Sequence, residues 1–354
     1  MQAEVAIIGA GPIGIELAIA FKRNGISYIQ FDKGQAGQMI YNFPPHTHFF
    51  SSPERISIAG IPIQTVDQQK CSREKYLAYL RSVIMHYDLQ LNTYENVFAI
   101  KKLEGSRGFT LTTCSLTGEQ KEYKANYLVI ASGGTSQPRQ LNVRGEKLPH
   151  VSTKMEDPHR YFQKKVLIIG GRNSAVESAL RCFHAGAEVT MAAREDQFNA
   201  DEIKYWLLPE LLGRIKKNEI ACFYGTQVRE IKPSKVLLER KKEGSCFFSP
   251  ADFVIKTIGF EADMNLFLLL GIPLQGERKT PHFNSETMET SEKDVFVLGT
   301  VVGGTQQKYR VFIENCHEHV EKILMTLASR MGLKNISFSI TRTASVSPSV
   351  HLEE

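Results

Sequence analysis

The first residues that suggest chemistry form a glycine pattern near the N-terminus, Gly9-x-Gly11-x-x-Gly14, and Asp32 lies 23 residues after its first glycine. The first glycine permits a tight turn, and the second lets a pyrophosphate approach the backbone. The third lets a helix pack closely on a strand. An acid at this distance is placed to bind the ribose hydroxyls of an adenosine. The pattern therefore predicts a dinucleotide site, with a glycine-rich structural turn as the alternative.

A second, degenerate form of this pattern follows at Gly170-Gly171-Arg172-Asn173-Ser174-Ala175. Arg172 replaces the central glycine, and the strand that follows ends on Arg194 rather than on an acid. A missing acid together with an arginine is the arrangement expected for a ribose 2′-phosphate, which an acid would repel. The pattern favours NADPH over NADH at this site. The alternative is that both arginines are solvated surface charges.

Two dinucleotide sites in one chain imply two dinucleotides. The acid at the first site indicates FAD, and the arginines at the second indicate NADPH. Hydride transfer from nicotinamide to flavin is then the first chemical step, and the cofactors supply that chemistry.

Each glycine pattern lies between an expected strand and an expected helix, as a dinucleotide fold requires. The strand–helix–strand segments are 5–8, 15–23 and 28–31 in the first half, and 166–169, 176–184 and 189–193 in the second. A last long helix is expected over about 305–331. Both halves therefore predict a doubly wound α/β domain.

A stretch rich in glycine and proline, 132–150, is typical of a linker and is expected to separate the two halves. We expect the C-terminal tail, 331–354, to be mobile, because its last 20 residues are rich in serine and threonine.

The composition excludes several function classes. The chain has 354 residues, 42% of them hydrophobic, and a formal net charge of +5 without a run of five like charges, so a nucleic-acid partner is not expected. The longest apolar stretch, 5–21, contains Glu16 and has no basic leader, so neither a membrane span nor a signal peptide is expected. The six cysteines lie at least 24 residues apart, which indicates a reducing cytoplasm. No spacing indicates a metal site.

Five segments make the sequence similar to thioredoxin reductase-like flavoproteins, and more narrowly to the bacillithiol-disulfide-reductase (YpdA-type) family. The similarity spans residues 5 to about 320. A basic residue at the central position of the second glycine pattern is typical of that family and matches Arg172. The segments are Val129–Gly133, Ile40–Pro44 with Phe49–Ser52, Gly170–Glu177, Ile203–Pro209 and Ile313–Asn315.

This resemblance implies a discontinuous FAD-binding domain of residues 1–132 and 262–330, with an NADPH-binding domain of residues 133–261 inserted between its two parts. A homo-oligomer is implied as well. It also implies a small-molecule or small-protein acceptor, such as bacillithiol disulfide. The expected FAD residues are Gly9, Gly11, Pro12, Ile13, Gly14, Asp32, Lys33, Gln38, Asn42, Val97, Ala131, Ser132, Gly133, Gly299, Thr300 and Ile313. The expected NADPH residues are Gly170, Gly171, Arg172, Asn173, Ser174, Ala175, Glu177, Arg194, Ile258 and Gly259.

The sequence departs from its relatives at the thiol positions. Thioredoxin reductases carry Cys-x-x-Cys in the slot that here holds Thr153–Glu156, and some YpdA-type members carry a cysteine where this chain has Ile13. Thr300 also replaces the aspartate that usually follows Gly299. Either the flavin passes hydride directly to the acceptor, or a distant cysteine takes part, with Cys316 the first to consider. An NADPH–ferredoxin or flavodoxin reductase and a non-catalytic flavin redox sensor are the alternatives.

Overall fold

The computed structural model describes residues 2–67, 69–103, 107–306 and 310–338. The α-helices are α1 Pro12–Arg23, α2 Gln38–Tyr41, α3 Pro53–Ile56, α4 Arg73–His86, α5 Asn173–His184, α6 Leu208–Lys216, α7 Asn265–Leu269 and α8 His317–Arg330. The 3-10 turns are Pro158–Tyr161, Ala200–Glu202, Gly299–Gly303 and Ile313–Asn315. None of the helices in these ranges combines the length and apolar character that a bilayer span requires.

Nineteen strands complete the secondary structure. The first ten are β1 Gln2–Ile8, β2 Tyr28–Asp32, β3 Leu91–Thr93, β4 Glu95–Lys102, β5 Phe109–Ser115, β6 Gln120–Ile130, β7 Gln137–Pro138, β8 Val151–Ser152, β9 Lys165–Ile169 and β10 Glu188–Ala192. The others are β11 Ala221–Phe223, β12 Thr226–Lys232, β13 Lys235–Arg240, β14 Cys246–Pro250, β15 Phe253–Lys256, β16 Phe260–Glu261, β17 Leu274–Gln275, β18 Thr280–Pro281 and β19 Val295–Val297.

The chain divides into two compact units. The first comprises Met1–Tyr41, Ser51–Gln137 and Glu261–Glu354, and the second comprises Asn42–Phe50 and Pro138–Phe260. The expected linker, 132–150, contains the division between Gln137 and Pro138. The boundaries predicted from the sequence place segment 42–50 in the first domain, whereas the structure groups it with the second unit. Which nucleotide each unit binds stays a prediction, and the expected tail lies outside the described residues from 339 onward.

The first unit contains a seven-stranded sheet in the order β3-β2-β1-β6-β5-β4, with β19 also paired to β6. Strands β1, β2, β3, β6 and β19 pair in parallel, whereas β4 and β5 are antiparallel. Val5, Ala6 and Ile7 in β1 are fully buried, as expected for a central parallel strand covered on both faces. The residues of β1 that precede the glycine turn are therefore fixed by the core.

The second unit repeats this plan with a five-stranded parallel sheet in the order β11-β10-β9-β15-β8. Helix α5 leaves the end of β9 and buries one apolar face, including Val176 and Ala179, against the sheet core. A separate antiparallel sheet of β12, β13 and β14 follows. Both units therefore place a glycine turn at the carboxyl end of a central parallel strand.

The closing helix is shorter than the predicted span of 305–331, because α8 begins at His317. The side-chain oxygen of Gln306 accepts hydrogen bonds from the backbone N–H groups of Arg310 and Val311, at 2.8 and 3.0 Å. The side-chain oxygen of Asn315 accepts another from Phe312, at 2.8 Å. Such local side-chain bonds compete with helical bonding, so residues 310–316 form turns instead of an α-helix.

Candidate dinucleotide-binding sites

The turn between β1 and α1 carries the first glycine pattern. Gly9 has a φ of 125°, and a Cβ there would lie 2.2 Å from the carbonyl oxygen of Ala131, so this position requires glycine. In contrast, a Cβ on Gly11 would meet no atom within 4 Å. Helix α1 begins at Pro12, and its first turn supplies unpaired N–H groups of the kind that bind phosphates. The turn therefore fits a pyrophosphate.

Asp32 ends β2 and is held beside this turn by both of its carboxylate oxygens. Oδ2 accepts a hydrogen bond from the Ala10 N–H and Oδ1 accepts one from the Gly34 N–H, each at 2.8 Å. Burial raises the pKa of Asp32, and these two N–H donors oppose that shift. The acid therefore lies where a ribose ligand is needed, and its contact with the ribose stays a prediction.

Several further FAD candidates come together at the ends of β6 and β19. Ile13 lies beside Gly299, since a Cβ on that glycine would be 3.7 Å from the Ile13 Cβ. The Thr300 hydroxyl accepts a hydrogen bond from the Gly134 N–H at 2.9 Å. The Ser132 hydroxyl is buried and has no hydrogen-bond partner within the described ranges. Because a buried unpaired hydroxyl is unfavourable, this group fits a site completed by polar atoms of a bound cofactor.

The remaining FAD candidates in the first unit occupy separate elements. Lys33 forms an ion pair with Asp263 at 3.5 Å. Gln38 begins the short helix α2. Val97 lies where the pairing of β4 with β5 shifts register, and Ile313 begins a 3-10 turn. Their contact with FAD stays a prediction.

A buried ion pair joins the same helix α1 to the closing helix. The Glu16 carboxylate lies 2.7 Å from Nδ1 of His317 and also accepts a hydrogen bond from the Ala59 N–H at 2.9 Å. Nε2 of His317 lies 3.2 Å from the Arg55 carbonyl oxygen. Both ring nitrogens therefore face acceptors, which requires the doubly protonated ring. Burial alone would lower the pKa of His317, but the Glu16 carboxylate outweighs it and the pKa is raised.

This pair predicts a pH-dependent contribution to stability. A histidine pKa that is raised on folding stabilises the protein fully below its unfolded value, and this stabilisation is lost as the pH rises through the folded value. We expect His317→Gln to lower the free energy of unfolding by about 1.5–3 kcal/mol near pH 6. The loss should shrink towards pH 9, as measured by urea unfolding. The control His86→Gln replaces an exposed side chain and should change stability little. A pH-independent loss for His317→Gln would contradict the charged pair.

The neighbouring His319 behaves in the opposite way. Its Nδ1 accepts a hydrogen bond from the Gly299 N–H at 3.3 Å, so this nitrogen carries no proton. Burial lowers the pKa of His319 to about 4, which keeps the ring neutral at ordinary pH. His319 therefore supports the backbone of the Gly299–Thr300 turn.

The turn between β9 and α5 carries the second glycine pattern. Gly170 has a φ of 138°, and a Cβ there would lie 2.5 Å from the carbonyl oxygen of Thr257. Helix α5 begins at Asn173, and Ala175 in its first turn is fully buried. The local geometry matches that of the first unit, so this turn also fits a pyrophosphate.

The two arginines of this site have different surroundings. Arg172 forms a two-point ion pair with Glu202, at 2.8 and 3.2 Å. The Arg194 side chain is 73% exposed and lies 3.3 Å from the neighbouring Glu195. Arg194 is therefore the more accessible candidate for the 2′-phosphate, and Glu202 competes with phosphate for Arg172.

We expect Arg194→Gln to reduce the preference for NADPH over NADH by about 10- to 100-fold, because a charge-assisted hydrogen bond to phosphate is lost. Steady-state kcat/KM values for both nucleotides measure this preference. Arg144→Gln removes the same charge from a side chain that is 89% exposed and should leave it unchanged. Equal use of both nucleotides by the unmodified protein would exclude the assignment.

The other NADPH candidates of this unit make backbone hydrogen bonds or pack in its core. The Ser174 carbonyl oxygen accepts a hydrogen bond from Ser178 Oγ at 2.7 Å. The Gly259 carbonyl oxygen accepts one from the Arg139 N–H at 3.0 Å. Ile258 packs against the hydrophobic core of this unit.

A buried ion pair that the sequence analysis missed lies on α5. The side chains of Glu177 and Lys204 are only 5% and 9% exposed, and their charged atoms are 2.7 Å apart. Glu177 also accepts a hydrogen bond from the Thr47 hydroxyl at 2.8 Å, and Lys204 donates one to the His48 carbonyl oxygen at 2.7 Å. The only sequence signal was a lysine within the apolar and aromatic segment 203–209.

Segment 42–50 contains Thr47 and His48, the two hydrogen-bond partners of this ion pair, and it belongs to the second unit. Lys154 donates a hydrogen bond to the Asn42 side-chain oxygen at 3.1 Å, and Arg181 donates one to the His46 carbonyl oxygen at 2.7 Å. Asn42, expected among the FAD residues, therefore belongs by its contacts to the unit of the second glycine pattern. The described residues contain no cluster of histidine, cysteine and acidic side chains suited to a metal ion.

Comparison with known proteins agrees with this architecture. A family model described as "Pyridine nucleotide-disulphide oxidoreductase" matches residues 6–299. Bacilliredoxin reductase Bdr of Bacillus subtilis is 33% identical over 330 residues, which cover 93% of this chain and 99% of the relative. The bacillithiol disulfide reductase Bdr (YpdA) structure from Staphylococcus aureus has a TM-score of 0.85 at 33% identity, with 93% and 99% coverage. Thioredoxin reductase of T. acidophilum shares the fold, with a TM-score of 0.71 at 21% identity over 93% and 99% of the two chains.

The two glycine turns and their parallel sheets define the thioredoxin reductase-like fold, which confirms the expected fold class. The chain belongs to the pyridine nucleotide-disulphide oxidoreductase family and, within it, to the YpdA (Bdr) type. It is an NADPH-dependent enzyme, and its cofactors are FAD and NADPH.

Proposed function

We propose that this enzyme reduces a low-molecular-weight disulfide, such as bacillithiol disulfide, without using a cysteine of its own. The names of the similar Bdr proteins support the disulfide class of acceptor. In this reaction a hydride from NADPH and a proton from solvent reduce one disulfide to two thiols. FAD, when bound, accepts the hydride and passes the electron pair to the acceptor.

A mechanism without a cysteine is supported by the residue at position 13 and by the burial of the thiols. Ile13 stands in the first glycine turn, where a cysteine would lie beside Gly299. Burial raises the pKa of Cys71 and Cys222 to about 11 and that of Cys182 to about 12, and it also raises the pKa of Cys316. A protonated, buried thiol is a poor nucleophile, so these four cysteines are poorly suited to disulfide exchange. Cys316, the first candidate from the sequence, is fully buried.

In this proposal the chain's own residues hold and orient the two nucleotides. Asp32 and the turn from Gly9 to Gly14 hold the adenosine and pyrophosphate of FAD, and Ser132 and Thr300 bind its remaining polar atoms. Arg194 binds the 2′-phosphate of NADPH, and the first turn of α5 binds its pyrophosphate. These assignments rest on the hydrogen bonds and exposures of the two turns.

The test combines a cysteine-free variant with a panel of acceptors. All six cysteines are replaced by Ser or Ala, and circular dichroism establishes that the variant is folded. Stopped-flow absorbance should show flavin reduction by NADPH at nearly the unmodified rate, because neither nicotinamide nor flavin chemistry needs sulfur. Turnover should persist with low-molecular-weight disulfides. Loss of disulfide turnover in one single-cysteine variant, with flavin reduction intact, would show that a redox cysteine exists.

The same panel includes ferredoxin, flavodoxin, quinones and oxygen. Fast turnover with ferredoxin or flavodoxin and none with disulfides would favour an NADPH–ferredoxin reductase, which also needs no cysteine. Tight FAD binding with negligible turnover for every acceptor would favour a flavin sensor.

We place the enzyme in the cytoplasm as a homo-oligomer, and the six free cysteines support a reducing compartment.

A further inference from the structure

Three aromatic side chains of the second unit, Phe50, Tyr205 and Trp206, form a cluster that we call the aromatic platform. The rings of Phe50 and Trp206 are stacked, with centroids 6.2 Å apart and planes 12° apart. Tyr205 meets Trp206 edge to face at 4.8 Å. Phe50 is 63% exposed and Tyr205 is 76% exposed. Exposed, mutually packed aromatic rings on a folded surface mark a binding site more often than scattered apolar residues do.

The backbone next to the platform is anchored by contacts of Lys204. Lys204, directly before Tyr205, is held in the buried ion pair with Glu177. The same lysine holds the His48 carbonyl oxygen at 2.7 Å, two residues before Phe50. The platform therefore presents its rings without a large loss of side-chain freedom on binding, which favours affinity.

The segment that carries Tyr205 and Trp206 is attached to the candidate nucleotide turn. The backbone N–H of Lys204 donates a hydrogen bond to the side-chain oxygen of Asn173, the first residue of α5, at 2.7 Å. Glu202 forms the two-point ion pair with Arg172 in the same turn. The segment that supplies Tyr205 and Trp206 is thus attached to the turn expected to hold the pyrophosphate.

A dinucleotide offers two planar rings, adenine and nicotinamide, which extend from its pyrophosphate in different directions. The adenosine end is assigned to Arg194, at the end of β10. The platform is attached instead to α5, through Asn173 and Glu177. The platform is therefore held by a different element from the assigned adenosine end, and only the nicotinamide has to reach the flavin for hydride transfer.

We propose that the aromatic platform stacks against the nicotinamide ring of the bound nucleotide and orients it. This inference rests on the proposed NADPH site of the second unit. Stacking of a planar ring on an aromatic side chain depends on contact area and geometry rather than on hydrogen bonding, so the platform positions the ring and takes no part in the chemistry.

The chain contains a single tryptophan, Trp206, so all tryptophan fluorescence of the protein comes from the platform. We would titrate the FAD-bound protein with NADP+, which does not absorb where tryptophan emits, and with 2′,5′-ADP, which lacks the nicotinamide. Equilibrium dialysis gives the affinity for each ligand independently. We expect NADP+ to quench the fluorescence of Trp206, and the midpoint of this titration should equal the dissociation constant from dialysis. In contrast, 2′,5′-ADP should bind without quenching.

Two exposed positions serve as variants that do not endanger the fold. We expect Phe50→Ala and Tyr205→Ala each to weaken NADP+ binding about 3- to 10-fold and to change 2′,5′-ADP binding less than twofold. Phe248→Ala is the matched control, because Phe248 is 46% exposed on β14 of the same unit. This control should affect neither ligand.

Three outcomes would overturn the proposal. Equal quenching by NADP+ and 2′,5′-ADP would assign the platform to adenine. Binding of NADP+ without quenching, together with platform variants of unchanged affinity, would show that no ring stacks there. Trp206 fluorescence that changes with protein concentration instead of ligand would indicate a contact between subunits. If dialysis detects binding of neither ligand, the proposed NADPH site itself fails, and this result is distinct from the other three.

Discussion

Lys204→Met is expected to lower the free energy of unfolding of the second unit by about 3–5 kcal/mol. The substitution removes one partner of a buried ion pair and leaves the other charge without compensation. Glu177 is 5% exposed, and within the described part of the chain it would keep the hydrogen bond from the Thr47 hydroxyl but no cationic partner. The His48 carbonyl oxygen would lose its donor as well. Methionine matches the lysine stem in length, so the loss comes from the charge rather than from a cavity.

Urea unfolding monitored by Trp206 fluorescence measures this loss, because the tryptophan lies two residues after Lys204. Lys164→Met is the control, since Lys164 is exposed in the same unit, and it should change stability little. The double variant Lys204→Met/Glu177→Gln removes both charges and should recover much of the stability. A single variant as stable as the unmodified protein would show that the pair is not buried in solution.

The ion pair also shows where prediction from sequence ends. Its two residues are 27 positions apart, and a hydrogen bond from Thr47 brings in a third segment from 130 positions away. No periodic pattern links such residues, because the pairing depends on how separate elements pack. The Arg172–Glu202 pair, over 30 positions, was missed for the same reason. The sequence predicts that Arg172 assists phosphate binding, but it does not reveal that Glu202 competes with the phosphate for this side chain.

The parts of the fold governed by local rules were predicted well. The buried strands around each glycine turn were placed within a few residues, since continuous apolar runs and glycine turns are properties of the sequence alone. The prediction of 5–8 compares with β1 Gln2–Ile8, and 166–169 compares with β9 Lys165–Ile169. Segment 42–50 has no such signal, because an aromatic loop without periodicity does not reveal which surface it covers.

The acid after the first glycine pattern provides the remaining large effect. We expect Asp32→Ala to weaken FAD binding about 30- to 1,000-fold, which corresponds to roughly 2–4 kcal/mol for hydrogen bonds to a charged acceptor. Two losses contribute to this effect. The ribose loses its acceptor, and the N–H groups of Ala10 and Gly34 lose the carboxylate that positions the turn.

Asp32→Asn separates these two contributions. Asparagine keeps one acceptor oxygen for the turn but loses the negative charge and the second acceptor, so FAD affinity should fall to an intermediate value. Fluorescence titration of the apoprotein with FAD measures the FAD affinity of both variants. Asp88→Asn is the control, because it removes the same charge from an exposed side chain. Burial raises the pKa of Asp32, and hydroxyl donors of a bound ribose would oppose that shift as the Ala10 and Gly34 N–H groups do. An Asp32→Ala variant that retains FAD as tightly as the unmodified protein would rule out this role for Asp32.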